Sequence, residues 1–136
     1  MSDSVKKVFD FLNGKTFYVA TVDGGKPRVR PFGFVAVIDG KLYFGNNPEK
    51  PSYKQLKANP NIEISATSED GTAWVRVSAT AVYDERQEAI DASLAAYPAL
   101  KDIYGAPGSP PFAPFYLKDA TAVFASFTAP PETVTF

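Results

Sequence analysis

The chain has no histidine and no cysteine among its 136 residues. Without cysteine there is no disulfide, no thiol nucleophile, and no thiolate ligand for zinc or an iron–sulfur cluster. Without histidine the Ser–His–Asp and Cys–His arrangements are excluded, and haem loses its commonest protein ligand. Magnesium or calcium could still be held by oxygen ligands. No cluster of the D-x-[DN]-x-[DN]-G kind occurs, so no metal site is expected. An excess of one charge is also missing: 14 Lys and Arg against 15 Asp and Glu leave a formal net charge of −1. Neither nucleic acid nor an anionic membrane is therefore an expected partner. No apolar run approaches the roughly 18 residues of a membrane span. The segment MSDSVKKVFDFLNGK lacks the long apolar stretch and cleavage site of a signal peptide. The expectation is a cytoplasmic protein in which a bound organic cofactor does any demanding chemistry.

What is present fits one globular domain over residues 1–136. The apolar fraction is 45% and the charged fraction 21%, as in soluble proteins, and the length suffices for a core. Eleven Phe, seven Tyr and one Trp suit a β-rich core or an interface.

Residues 4–13 set Val5, Val8, Phe9 and Leu12 at helical spacing, with Ser2 or Ser4 as N-cap and Gly14 as stop. TFYVATV at 16–22 reads as a strand, and Asp23-Gly24-Gly25-Lys26 as a turn. A second strand runs from about Pro27 to Ile38, and Asp39-Gly40 turns it into a third at Lys41–Gly45. A short helix is expected over Ser52–Ala58, followed by the alternating strand NIEISAT at 61–67 and a long strand over 72–84. Helical propensity returns at 85–96 and 99–104, and Pro and Gly rule out regular structure over 105–114. A strand at 121–128 and a proline-interrupted tail complete the chain. The sum is a mainly β, α+β domain: a small six-stranded antiparallel barrel with flanking helices.

The chemistry-bearing residues cluster between 26 and 60. Arg28 and Arg30 share a strand face about 6.6 Å apart, at roughly 3.3 Å per residue. A guanidinium suits phosphate because its planar fork donates two parallel hydrogen bonds and stays charged. The alternative is two solvated arginines. Pro31 cannot donate to a ladder, which suggests an edge or bulge whose backbone is free to meet a ligand. Ser52 and Gln55 match a capping box, so Ser52 is read as a helix cap. That role is compatible with anion binding, because a helix N-terminus offers free N–H groups and Lys50 and Lys54 flank it. Trp74 is either a core or interface aromatic or a wall for a flat ring. Phe112 and Phe115 are read as staples for the proline-rich loop, and Asp84, Glu85 and Glu88 as helix-start charges.

Three pieces, in this order and spacing, resemble a known family: G-K-P-R-V-R-P-F after a strand and turn, K-L-Y-F-G-N-N, and Q-L-K-A-N-P leading into N-I-E-I-S. From about Phe9 to Tyr83 the chain is similar to the pyridoxamine 5′-phosphate oxidase-like proteins, which are split β-barrels that bind flavin mononucleotide (FMN). The resemblance implies a homodimer with FMN at its interface. It implies that Arg30 belongs to the phosphate-binding strand, with Pro31 and Phe32 where backbone meets the flavin ring. Asn46 and Asn47 fall in the loop near the cofactor, Lys50 and Ser52 in the phosphate turn, and Trp74 where a partner subunit reaches the flavin. Two departures stand out. The phosphate turn reads Lys50-Pro51-Ser52 where the family often shows Ser-Arg-Lys, and the chain ends PPETVTF without the Arg- and His-bearing substrate grip of the true oxidases. The expected function is an FMN-dependent oxidoreductase acting on a small molecule or a redox partner, with no catalytic side chain identified. The alternatives are a flavin carrier or redox sensor without turnover, a barrel for another phosphorylated cofactor such as a deazaflavin, and an empty interaction module.

Overall fold

The computed structural model describes residues 2–105, 108 and 111–136. The expectation of irregular structure at 106, 107, 109 and 110 lies outside the described residues. Helix α1 (Asp3–Leu12) begins where the Ser2 hydroxyl accepts the Val5 N–H, and it buries Val5, Val8 and Leu12. The chain then runs through β1 (Phe17–Asp23), a turn at Gly24 and Gly25, and β2 (Lys26–Phe32). Next come β3 (Ala36–Ile38), β4 (Lys41–Asn46), α2 (Pro51–Ala58), β5 (Asn61–Thr67) and β6 (Ala73–Tyr83). After α3 (Gln87–Ala96), a 3-10 turn at Pro98–Leu100 leads into the short α4 (Lys101–Tyr104). β7 (Ala113–Ser126) and β8 (Glu132–Thr135) finish the fold. Among the described residues no helix is long and apolar enough to cross a membrane.

All the strands pair antiparallel in one sheet ordered β2-β1-β5-β6-β7-β4-β3, with β8 added along β7. The sheet curls until its two ends share a core. The rings of Phe17 on β1 and Phe44 on β4 meet edge to face at 5.6 Å, and Phe32 on β2 approaches Phe115 on β7 at 6.5 Å. The barrel is nevertheless split. Its edge strands β2 and β3 are joined through Gly33–Val35, yet no ladder closes them.

The expected class is therefore found, with eight strands among the described residues in place of six. The 27–38 run divides because Gly33-Phe34-Val35 carries the chain from one sheet edge to the other; Pro31 stays within β2, opposite Tyr18, as an edge strand allows. The tail Glu132–Thr135 adds the other strand by pairing with β7. The final strand also starts earlier than expected, at Ala113. Its first half is recruited by β4 and β6, which supply partners for its backbone. Asp119, at φ 52°, lies where the β6–β7 register shifts by one residue, bending β7 between its two sets of neighbours.

A main core centred on Phe17, Phe44, Ile64, Val75, Val77 and Phe115 fills the barrel. A smaller one, built on Phe34, Ala36, Leu100 and Phe112, lies under α3 and α4. The seam between β2 and β3 opens beside this second core.

Candidate functional site

At that seam lies a cavity of about 510 Å³. Two other concavities are of similar size, about 580 and 530 Å³, so chemistry and not volume distinguishes this one. Both of the others mix lysines with carboxylates along their walls; this one has Arg30 and Lys50 in its lining and no acid.

Arg30 is held from below. On β2 it pairs with Val19, so its side chain turns toward the barrel interior, where Val19 and Thr21 are buried. Its Nη1 donates to the Val19 carbonyl at 3.1 Å and to Thr21 Oγ1 at 2.8 Å. Its Nη2 donates to Gln55 Oε1 at 2.7 Å, and Thr21 Oγ1 donates to the same oxygen at 2.6 Å. A guanidinium has five N–H groups. Three are used here, and among the described residues the Nε–H and the second Nη2–H have no acceptor. Those two donors lie on one edge of the plane, the geometry of a bidentate grip on an oxyanion. Burial pulls the Arg30 pKa below the usual guanidinium range, but the group remains a cation near neutrality.

The second wall is the turn from β4 into α2. Asn46 is buried and engaged at both ends of its amide: its Oδ1 accepts from Asn47 N–H at 2.9 Å and from Ser52 Oγ at 3.1 Å, and its Nδ2 donates to the Tyr83 hydroxyl at 3.0 Å. Asn47 Oδ1 in turn accepts from Glu49 N–H, and its carbonyl from Lys50 N–H. This chain of bonds places Lys50 and Ser52, and with them the start of α2, against the cavity. Pro51 has no N–H and that of Tyr53 donates to the Lys50 carbonyl, so in the first turn the Ser52 N–H, with the positive end of the helix dipole, adds to the cationic character. Burial raises the Tyr83 pKa to about 12, so the hydroxyl stays protonated at any ordinary pH.

The far wall is apolar and aromatic: Phe34, Tyr97, Leu100, Ile103, Tyr104 and Phe112. Phe34 meets Tyr97 at 5.5 Å and Phe112 at 6.0 Å, both edge to face. Glycine is required at position 45 of β4, where a Cβ would run into the Phe112 ring. The result is a cleft with donors at one end and ring faces at the other, suited to a ligand with an anionic tail and a flat head.

Seven of the ten expected site residues line this cavity: Arg30, Pro31, Phe32, Asn46, Asn47, Lys50 and Ser52. Arg28 does not; it is half exposed and pairs with Asp23 at 3.1 Å. Lys54 points to solvent outside the lining. Trp74 sits in a different groove beside α1, its ring 5.1 Å from Phe127. The capping box is also corrected. Lys50 is the N-cap, Pro51 opens the helix, and Ser52 lies inside it with its hydroxyl on Asn46, while Gln55 turns to Arg30. Phe112 lines the cavity, and Phe115 is wholly buried in the barrel core. Asp84 is more than a helix-start charge. Buried at the end of β6, it accepts from the Tyr43 hydroxyl at 2.7 Å and from Arg86 Nε and Nη2 at 2.9 Å each.

Sequence reasoning did not identify the residues of the aromatic wall or the Thr21–Gln55 support. One signal for the wall was present: Gly45, an isolated glycine in an apolar strand, marks a close approach. The local pattern marked Gln55 only as the end of a capping box, not as a partner of Arg30.

The model of the pyridoxamine 5′-phosphate oxidase family matches residues 4–123. A crystal structure of a NimC/NimA family protein from Clostridium acetobutylicum superposes with a TM-score of 0.91 at 36% identity, covering 98% of this chain and 92% of that one. A heme binding protein from Mycobacterium smegmatis shares the fold at TM-score 0.72 and 17% identity, over 98% of this chain and 57% of that one. An F420 reductase shares it at 0.59 and 22%, over 81% of this chain and 90% of that one. No curated protein matches the chain in sequence. The spans matched by the family model and by the clostridial protein establish that this chain belongs to the pyridoxamine 5′-phosphate oxidase family.

Proposed function

We propose that the protein binds FMN in the seam cavity and works as a flavin-dependent oxidoreductase on a small molecule or a redox partner. The observation that carries the reading is the outward edge of Arg30: two aligned donors on a cation with no carboxylate to quench it, next to Lys50, Ser52 and a helix start. A phosphate monoester is the natural occupant of such a set. Pro31–Phe34 and the aromatic wall would flank a flat ring system, excluding water from one side of it. Bound there, a flavin would supply reversible hydride and electron transfer, which no side chain of this chain can do. The residues themselves bind and orient; none lining the cavity is a carboxylate or an imidazole able to move a proton near neutral pH.

A homodimer is part of the proposal. Tyr18 and Val29 are exposed on the outer face of β1 and β2, where Pro31 stands opposite Tyr18 and Ala20 opposite Val29. An apolar patch of this kind on a sheet face beside the cavity suits a second copy. A deazaflavin is the second reading, favoured by the shared fold of the F420 reductase. Haem fits less well, because the chain offers neither imidazole nor thiolate to iron.

The absorbance spectrum of the purified protein, with mass spectrometry of the released ligand, tests the assignment. Flavin bands and a mass of FMN are expected. A deazaflavin spectrum would transfer the site to that cofactor, and a colourless protein that ignores added FMN would overturn the proposal. Turnover of a reduced nicotinamide with a quinone or oxygen then separates an enzyme from a carrier.

A further inference from the structure

We propose that Gln55 is the positioning residue that makes this cavity select ligands by a terminal phosphate, an inference that rests on the flavin reading above. Arg30 is a flexible side chain on an edge strand, and nothing in β2 alone would fix its plane. Gln55, about one turn into α2 and behind the cavity lining, does so from the helix. Its Oε1 takes one hydrogen from Arg30 Nη2 at 2.7 Å and another from Thr21 Oγ1 at 2.6 Å, while Thr21 Oγ1 accepts from Arg30 Nη1 at 2.8 Å. Arg30 can only donate, so the proton directions around this ring of three residues are determined. Thr21 must donate to Gln55, and Gln55 must present its oxygen. The end of the guanidinium is thereby engaged, and the Nε–Nη2 edge is left as its free fork.

The choice of an amide has a consequence. A carboxylate at position 55 would accept the same two hydrogens, but it would also neutralise Arg30 and cancel its pull on an anion. Gln55 holds the cation as a carboxylate would while leaving its charge unspent. The Thr21 side of the ring is buried, with Thr21 itself only 2% exposed, so water cannot easily replace a lost partner.

The test is the ratio of the riboflavin and FMN dissociation constants, measured by flavin fluorescence on the wild type, Gln55→Leu and Gln55→Glu. These two ligands differ by the phosphate alone. Gln55→Leu should lower the ratio roughly 10-fold, the worth of an ordered hydrogen bond to a charged group, with riboflavin affinity unmoved. Gln55→Glu should lower the ratio at least as far while keeping the wild-type melting temperature. A merely structural glutamine predicts otherwise: glutamate would then behave as wild type, and leucine would weaken both flavins alike. Either result overturns the inference and leaves the flavin reading intact. If Gln55→Leu does not fold, Gln55→Glu decides alone. If the wild type ignores flavin, calorimetry with inorganic pyrophosphate replaces it. Weaker binding in the variants then keeps the inference and discards the flavin reading, whereas no binding or equal binding discards both.

Discussion

Two arginine clusters of this barrel differ by one carboxylate. Arg86 gives Nε and Nη2 to the two oxygens of Asp84, whose second oxygen also receives the Tyr43 hydroxyl. Asp84 is buried, and the bonds from Arg86 hold its carboxyl well below the usual range. Charge and hydrogen bonds close on themselves there, tying the end of β6 to β4. Arg30 faces a threonine, a carbonyl and an amide, all neutral acceptors. Its orientation is satisfied but its charge is not, and it lines a cavity. The first cluster is built to stay shut, the second to be completed from outside. An arginine's task is thus read from what it lacks as much as from what it touches.

Four measurements can break or sharpen this contrast. The largest effect should come from Arg30→Ala, which removes the fork: FMN affinity falls about 100-fold while riboflavin affinity changes little. Paired titrations check it, and equal loss for both ligands would dissolve the distinction between the clusters. Next, Asp84→Ala leaves the buried Tyr43 hydroxyl without its acceptor. It should cost about 2 kcal/mol in denaturant unfolding without touching flavin affinity.

The closed cluster also has a pH signature. Burial, reinforced by Asp84, raises the Tyr43 pKa to about 12. A group whose folded pKa lies above its unfolded value near 10 contributes in full below pH 10 and loses that contribution as the pH climbs toward 12. Stability should therefore fall across that interval. The slope should shrink in Tyr43→Phe without vanishing, since Tyr83 is raised to the same value. A slope unchanged by that substitution would remove Tyr43 from the account. The smallest effect belongs to Arg28→Ala. Two residues from Arg30, it makes among the described residues only an exposed pair with Asp23, so it should cost about 0.5 kcal/mol or less and leave flavin binding alone. A large loss of affinity would instead put Arg28 in the site.

How far each feature could be read from sequence follows its range along the chain. NIEISAT buries Ile62, Ile64 and Ala66 in strict alternation because a pleated strand with one wet face admits no other pattern. Asp39-Gly40 turns as expected, both residues at positive φ. The S-x-x-Q pattern misled because it is local. Proline at 51 opens the helix one residue early, and the partners of Ser52 and Gln55 are Asn46, Thr21 and Arg30, brought close only by the docking of α2. The aromatic wall was hidden for the same reason, since Phe34 and Phe112 lie far apart in the chain and meet only in the second core.

By itself, then, the order of residues determined the antiparallel β class, the main turns, the want of any imidazole or thiol chemistry, and the segment where cations and a helix start gather. Tertiary structure alone decided which arginine is open and which glycine admits a ring. It also decided which glutamine orients a charge. Alternation and turn chemistry act within a few bonds and leave their mark in sequence. Whether a charged group is quenched depends on neighbours many residues away, and those are assigned only when the sheet curls and the helices pack against it.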